Sequence, residues 1–121
     1  MKASTLVRLT QLGFWAAFLA TLGGALMPPT TPGIDFLPWD KAEHFVGFYV
    51  LTTLAVLAFP RRSLVAIALL LCAFGGLIEL VQALPIVHRD AEWGDWLADS
   101  VAIVSVLAPM ALVRWRAAFR R

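Results

Sequence analysis

Charge is what this chain has least of. Only 15% of its 121 residues are Asp, Glu, Lys or Arg, against 60% that are hydrophobic. A soluble domain this small must cover a large surface with polar groups, and this chain has too few. Cysteine is nearly absent as well. The single Cys72 excludes an internal disulfide and reads as a small buried hydrophobe without a further role. No internal repeat, low-complexity tract or long polar stretch marks off a second domain. The net charge of +2 is no nucleic-acid signal, because the basic residues do not gather on a polar domain.

What the chain does have is long apolar runs and a mean hydropathy of +0.79. A membrane-crossing helix needs about 20 mostly apolar residues. Four blocks qualify, at about residues 6–27, 41–59, 63–84 and 93–113. "PRR" at 60–62 stops the second block and Pro85 follows the third. The first block has Lys2 and Arg8 ahead of its apolar core, as a signal peptide does, but its run is long for a signal core and reads as a true helix. The expectation is an all-α membrane protein: one four-transmembrane-helix bundle spanning residues 1–121. The first connection, "MPPTTPGIDFLPWD", is expected to be ordered but non-helical.

The charges divide by side. Lys2, Arg8, Arg61, Arg62, Arg114, Arg116, Arg120 and Arg121 fall at one set of ends and loops, with none of the eight acidic residues. The positive-inside rule then puts both termini in the cytoplasm; the expected location is a bacterial inner (cytoplasmic) membrane. "RWRAAFRR" reads as an anchor at the lipid surface. Trp39, Trp93 and Trp96 fall near the outer boundary and Trp115 near the inner one, depths that amphipathic rings favour.

The remaining polar groups meet at one level. Asp40, Lys41 and His44 open the second helix, and Glu79 and Gln82 lie near the outer end of the third. Arg89 and Asp90 are in the outer loop, and Asp95 and Asp99 are in the first turns of the fourth helix. Glu79 is ~7.5 Å along its helix from Leu84, and Asp99 ~9 Å from Trp93, at 1.5 Å per residue. Asp40 with His44 and Asp95 with Asp99 are spaced by four, and Glu79 with Gln82 by three, so each pair shares a face. Ionisable residues in a span face the bundle interior or water and pair with one another. Glu79 is therefore expected to be held by Lys41, His44 or Arg89, at the floor of an outward-facing cup. Gly75-Gly76 and Gly23-Gly24 read as points of close helix approach. Glu43, Glu92 and Asp35 read as solvated charges, and His88 as a surface loop residue.

"DKAEHFVGFYVL", "ELVQ" and "RDAEWGDWLAD" together resemble the VanZ-like family of small membrane proteins. Its pattern is Asp-Lys-x-x-His, then Glu-x-x-Gln, then Arg and Asp-x-x-x-Asn-x-x-Gly. The resemblance covers residues 40 to about 106. It departs at Asp99, where the family has Asn, and at Ala102 and Val106, where the family has glycines. It implies a link to glycopeptide (teicoplanin-type) resistance and names no reaction.

Several functions fit these residues. The first is a site that binds or acts on an envelope lipid or a lipid-linked cell-wall intermediate. In that reading Asp40, Lys41, Gln82, Arg89, Asp95 and Asp99 bind the ligand, with Lys41 and Arg89 taking a phosphate or carboxylate, and His44 with Glu79 does acid–base chemistry. A variant places a divalent metal among His44, Glu79, Asp95 and Asp99; an oxygen-rich set suits magnesium, calcium or manganese better than zinc. The second is a non-enzymatic membrane factor or scaffold that binds a glycopeptide or a partner protein, its polar layer structural. A proton or ion path is disfavoured, because no matching polar residues lie in the inner half of the helices; Thr52 and Thr53 are neutral, and such hydroxyls often bond their own backbone.

Overall fold

The structure, a computed structural model, describes residues 2–27, 40–87 and 91–120, with Asp40 described by its backbone alone. The first connection, Trp39, His88, Arg89 and Asp90 lie outside the described residues. Four helices account for nearly all that is described: α1 (Ala3–Leu26), α2 (Asp40–Ala58), α3 (Leu64–Gln82) and α4 (Trp93–Phe119). A single 3₁₀ turn, Pro85–Val87, follows α3, and there is no strand among the described residues.

Local chemistry sets the ends. Ser63 caps α3, its hydroxyl accepting the Ala66 N–H at 3.0 Å. Pro60 lies just past the end of α2, where its missing N–H and fixed φ oppose further helix. Helix α3 ends at Gln82, two residues short of the expected boundary, and gives way to the 3₁₀ turn. Helix α4 runs to Phe119, past the expected end near residue 113, because Ala, Arg and Trp carry a helix on where the apolar run stops. Its 27 residues extend ~40 Å at 1.5 Å per residue, more than the ~30 Å of a bilayer's hydrocarbon core.

Helices α1, α3 and α4 are each long and apolar enough to cross a membrane. Helix α2 falls short of the same measure, since Asp40, Lys41, Glu43 and His44 crowd its first turn. It is nevertheless the central helix, packing on α1 and α4 through Phe48, Leu51, Ala55 and Ala58, a stripe repeating every three or four residues. Two side-chain ties fix the relative directions of the helices, the first between antiparallel α1 and α2, the second between parallel α1 and α3. Gln11 donates to the Ala58 carbonyl at 3.1 Å, and Gln82 donates to the Ala25 carbonyl at 3.0 Å. Each amide satisfies a carbonyl in a last helical turn that has no partner within its own helix.

The inner stripes of α3 and α4 change character along their length. On α3 the buried residues run Ile67, Leu71, Gly75, Ile78, Glu79, Gln82. On α4 they run Asp95, Asp99, Ala102, Ile103, Leu107. Both are apolar toward one end of the bundle and polar toward the other. Meanwhile Leu69, Leu70, Leu77 and Leu80 of α3 and Leu97, Val101 and Val104 of α4 lie more than half exposed. Acids inside and leucines outside is the inverse of a water-soluble bundle and the arrangement expected in lipid.

Candidate functional site: a buried acidic cluster at one end of the bundle

The site forms where the start of α2, the end of α3 and the start of α4 converge. Glu79, Asp95 and Asp99 are buried, at 3%, 2% and 0% exposure. Their positions on core stripes require this: Glu79 lies four and eight residues from buried Gly75 and Leu71, and Asp99 and Asp95 four and eight from buried Ile103.

His44 organises the α4 acids. Its Nδ1 lies 2.9 Å from Asp99 Oδ1, the N–H donating to the carboxylate, and its Nε2 is 3.7 Å from Asp95 Oδ2. Lys41, one turn earlier, pairs with the Glu92 carboxylate and approaches Asp95 Oδ1 at 3.5 Å. The Lys41 and Glu92 side chains are 32% and 55% exposed, so this pair forms the rim. Asp95 bridges rim and floor.

Glu79 lies beside His44, one of its three expected partners, and also takes a backbone N–H. Its Oε2 accepts the backbone N–H of Glu92 at 3.0 Å. Glu92 is the N-cap of α4, so the carboxylate meets the positive end of that helix and one of its orphan donors. Lys41 is engaged with Glu92 and Asp95, and Arg89 lies outside the described residues. The other oxygen, Glu79 Oε1, is buried with no hydrogen-bond partner among the described residues. One ligating atom each from His44, Glu79 and Asp99 lie within 4.8 Å of one another, a set able to hold a metal ion. Asp95, counted with them from the sequence, is not in that set; it faces Lys41 and His44.

Gln82 is buried but directs its amide nitrogen to α1. Gly75 permits the site to close: a Cβ there would lie 2.8 Å from Asp99 Oδ2. The same test gives 2.8 Å between a Cβ at Gly94 and Lys41 Cε, so α2 and α4 also meet closely at the rim. Gly23 and Gly24, by contrast, have nothing within 4 Å of such a Cβ among the described residues, and none of the described helices makes the close approach expected there. Trp96 donates its indole N–H to the Cys72 carbonyl at 3.0 Å and so pins α4 to α3 behind the acids. Deeper in α2, the Thr52 and Thr53 hydroxyls donate to the Phe48 and Tyr49 carbonyls of their own helix, as expected of hydroxyls that carry no polar path.

Sequence reasoning missed Glu92. Its acidic side chain resembles any loop charge, and its backbone role depends on where α4 starts. The available signal was its place one residue before an apolar helix whose first turn carries Asp95. Compared with family models, with characterised proteins and with solved structures, the chain finds no match.

Proposed function

We propose that the chain is a VanZ-like protein of the bacterial cytoplasmic membrane, with four crossings, cytoplasmic termini and an outward site that receives the polar headgroup of an envelope lipid or lipid-linked cell-wall intermediate. The observation that carries this reading is the placement of His44, Glu79, Asp95 and Asp99 on core stripes at one bundle end, opposite the basic residues. Buried ionisable groups are costly in lipid, and those retained mark binding or chemistry. Lys41 and Glu92 offer one charge of each sign at the rim. An apolar groove along α3 and α4, lined by Gly76, Leu80, Trp93 and Trp96 among others, lies on the lipid side of the same level and suits an acyl chain. His44, hydrogen-bonded to Asp99, is the group suited to moving a proton, with Glu79 beside it. Susceptibility to a glycopeptide is the cellular readout that follows from the resemblance.

A second reading is a non-enzymatic factor whose polar layer holds the bundle together. The Glu79–Glu92 and Gln82–Ala25 bonds favour it, since each joins two helices. Native mass spectrometry from gentle detergent separates the two. Wild type carrying a lipid or glycan-lipid that Glu79→Gln with Lys41→Ala lacks supports the binding site. Bare protein in both, with the variant less heat-stable, rejects it in favour of the structural layer.

A further inference from the structure

Among the described residues the site carries more acids than bases, a poor match for the anionic headgroup proposed above. Glu79, Asp95, Asp99 and Glu92 stand against Lys41 and His44, and Lys41 is committed to Glu92 and Asp95. Like charges this close raise one another's energy unless a cation lies among them. Two features indicate where such a cation would sit. His44, Glu79 and Asp99 bring one ligating atom each within 4.8 Å of the others. Glu79 Oε1, on a residue only 3% exposed, has no hydrogen-bond partner among the described residues, a costly arrangement for a neutral group and more so for a charged one.

We infer that His44, Glu79 and Asp99 hold one divalent cation of the magnesium–manganese class, and that its open positions receive the phosphate of the bound headgroup.

The dimensions fit. Ligands of an octahedral ion at ~2.1 Å are ~3.0 Å apart along an edge and ~4.2 Å apart across the centre. His44 Nδ1 and Asp99 Oδ1 are already 2.9 Å apart, and bringing Glu79 in from within 4.8 Å needs only a side-chain adjustment. Ligation through Nδ1 needs its lone pair, so the Nδ1 proton leaves for solvent from an imidazolium or passes to Nε2, which faces Asp95. Two carboxylates favour a hard ion, and the imidazole favours manganese over calcium. Three protein ligands leave positions open. The Glu92 N–H bond orients the Glu79 carboxylate, as a second hydrogen bond does for ligands in metal sites. Gly75 leaves room for Asp99 at this point, where any Cβ would crowd it.

The metal needs only the three side chains; its contact with a headgroup rests on the function proposed above. The test uses the full chain in detergent, stripped with EDTA and titrated with Mn²⁺ by calorimetry and electron paramagnetic resonance. Wild type is expected to take one Mn²⁺ per chain. Glu79→Gln and Asp99→Asn should each weaken binding about tenfold or more, while Glu43→Gln, one residue before the ligand histidine, should not. No Mn²⁺ uptake by wild type overturns the inference without recourse to any variant. Equal weakening by Glu43→Gln also overturns it, by showing that bulk charge and not ligation holds the ion. Lipid retention, read on the same samples by native mass spectrometry, is scored separately. Mn²⁺ without lipid keeps the metal site and rejects the headgroup reading; lipid without Mn²⁺ does the reverse.

Discussion

Replacing Gly75 and Gly13 by alanine should have opposite effects. Both glycines are helical and partly or fully buried, one in α3 and one in α1. In each case alanine recovers about 1 kcal/mol of helix propensity. At Gly13 the new Cβ meets only Leu54 Cδ2, at an ordinary 3.6 Å, so the propensity gain stands and the protein is stabilised. At Gly75 the Cβ meets Asp99 Oδ2 at 2.8 Å and Asp99 Cβ and Cγ at 3.4 Å. Reaching 3.4 Å from the oxygen requires a shift of 0.6 Å (3.4 less 2.8). Asp99 has little freedom to make it, being fully buried with its other oxygen bonded to His44 at 2.9 Å. Overpacking of this kind costs about 1–3 kcal/mol, and the immobile neighbour places this case toward the top. Gly75→Ala should therefore lose about 1–2 kcal/mol net of propensity. Thermal unfolding in detergent, with wild type and Gly13→Ala alongside, measures it. An Asp99→Ala background should remove most of the penalty, because the opposing oxygen is gone. If Gly75→Ala proved as stable as wild type, or if the penalty persisted without Asp99, the close approach of α3 and α4 would be wrong.

The ion pairs should rank by burial. Glu92→Gln removes a half-exposed partner of Lys41 and should cost under about 1 kcal/mol in the same assay. His44→Ala leaves buried Asp99 and Asp95 without their imidazole and should cost several times more, up to about 3–5 kcal/mol; equal losses would refute this ranking. Trp96→Phe deletes the indole N–H bond to Cys72 together with part of the ring that packs beside Trp93, and should lose at least about 0.6–1.7 kcal/mol, read by denaturant titration. For topology, cysteines placed at Arg62 and Arg116 should resist an impermeant thiol reagent in intact cells, while one at Glu92 should react. Labelling at Arg62 would reverse the orientation.

The helices and the polar layer were legible because both rest on short-range rules. Apolar runs of about 20 residues marked α1, α3 and α4, and spacings of three and four put Glu79, Asp95 and Asp99 on inner faces. The backbone partner of Glu79 was not legible. Lys41, His44 and Arg89 are the expected partners and His44 does lie beside it, but a further bond comes from a backbone N–H, and every residue has one to offer except proline. Which N–H is free depends on the turn where α4 begins, and helix ends are read from sequence only to within a few residues. Gly23-Gly24 and Gly75-Gly76 look alike in sequence and differ in what faces them across the bundle. The reach of α4 to Phe119 is not legible from hydropathy: the helix carries Pro109 in its interior, and past residue 113 no glycine or proline ends it.

The bond from the Glu92 N–H to Glu79 turns one backbone amide into a built-in spectroscopic probe. An amide proton shared with a buried carboxylate is strongly polarised, and its resonance moves downfield. It should exchange slowly with solvent although it lies outside the helical hydrogen-bond ladder. Protonating Glu79, or engaging its other oxygen, withdraws electron density from the acceptor and shifts that one signal. A selectively ¹⁵N-glutamate-labelled sample would show the chemical state of the site directly, before any substrate is known.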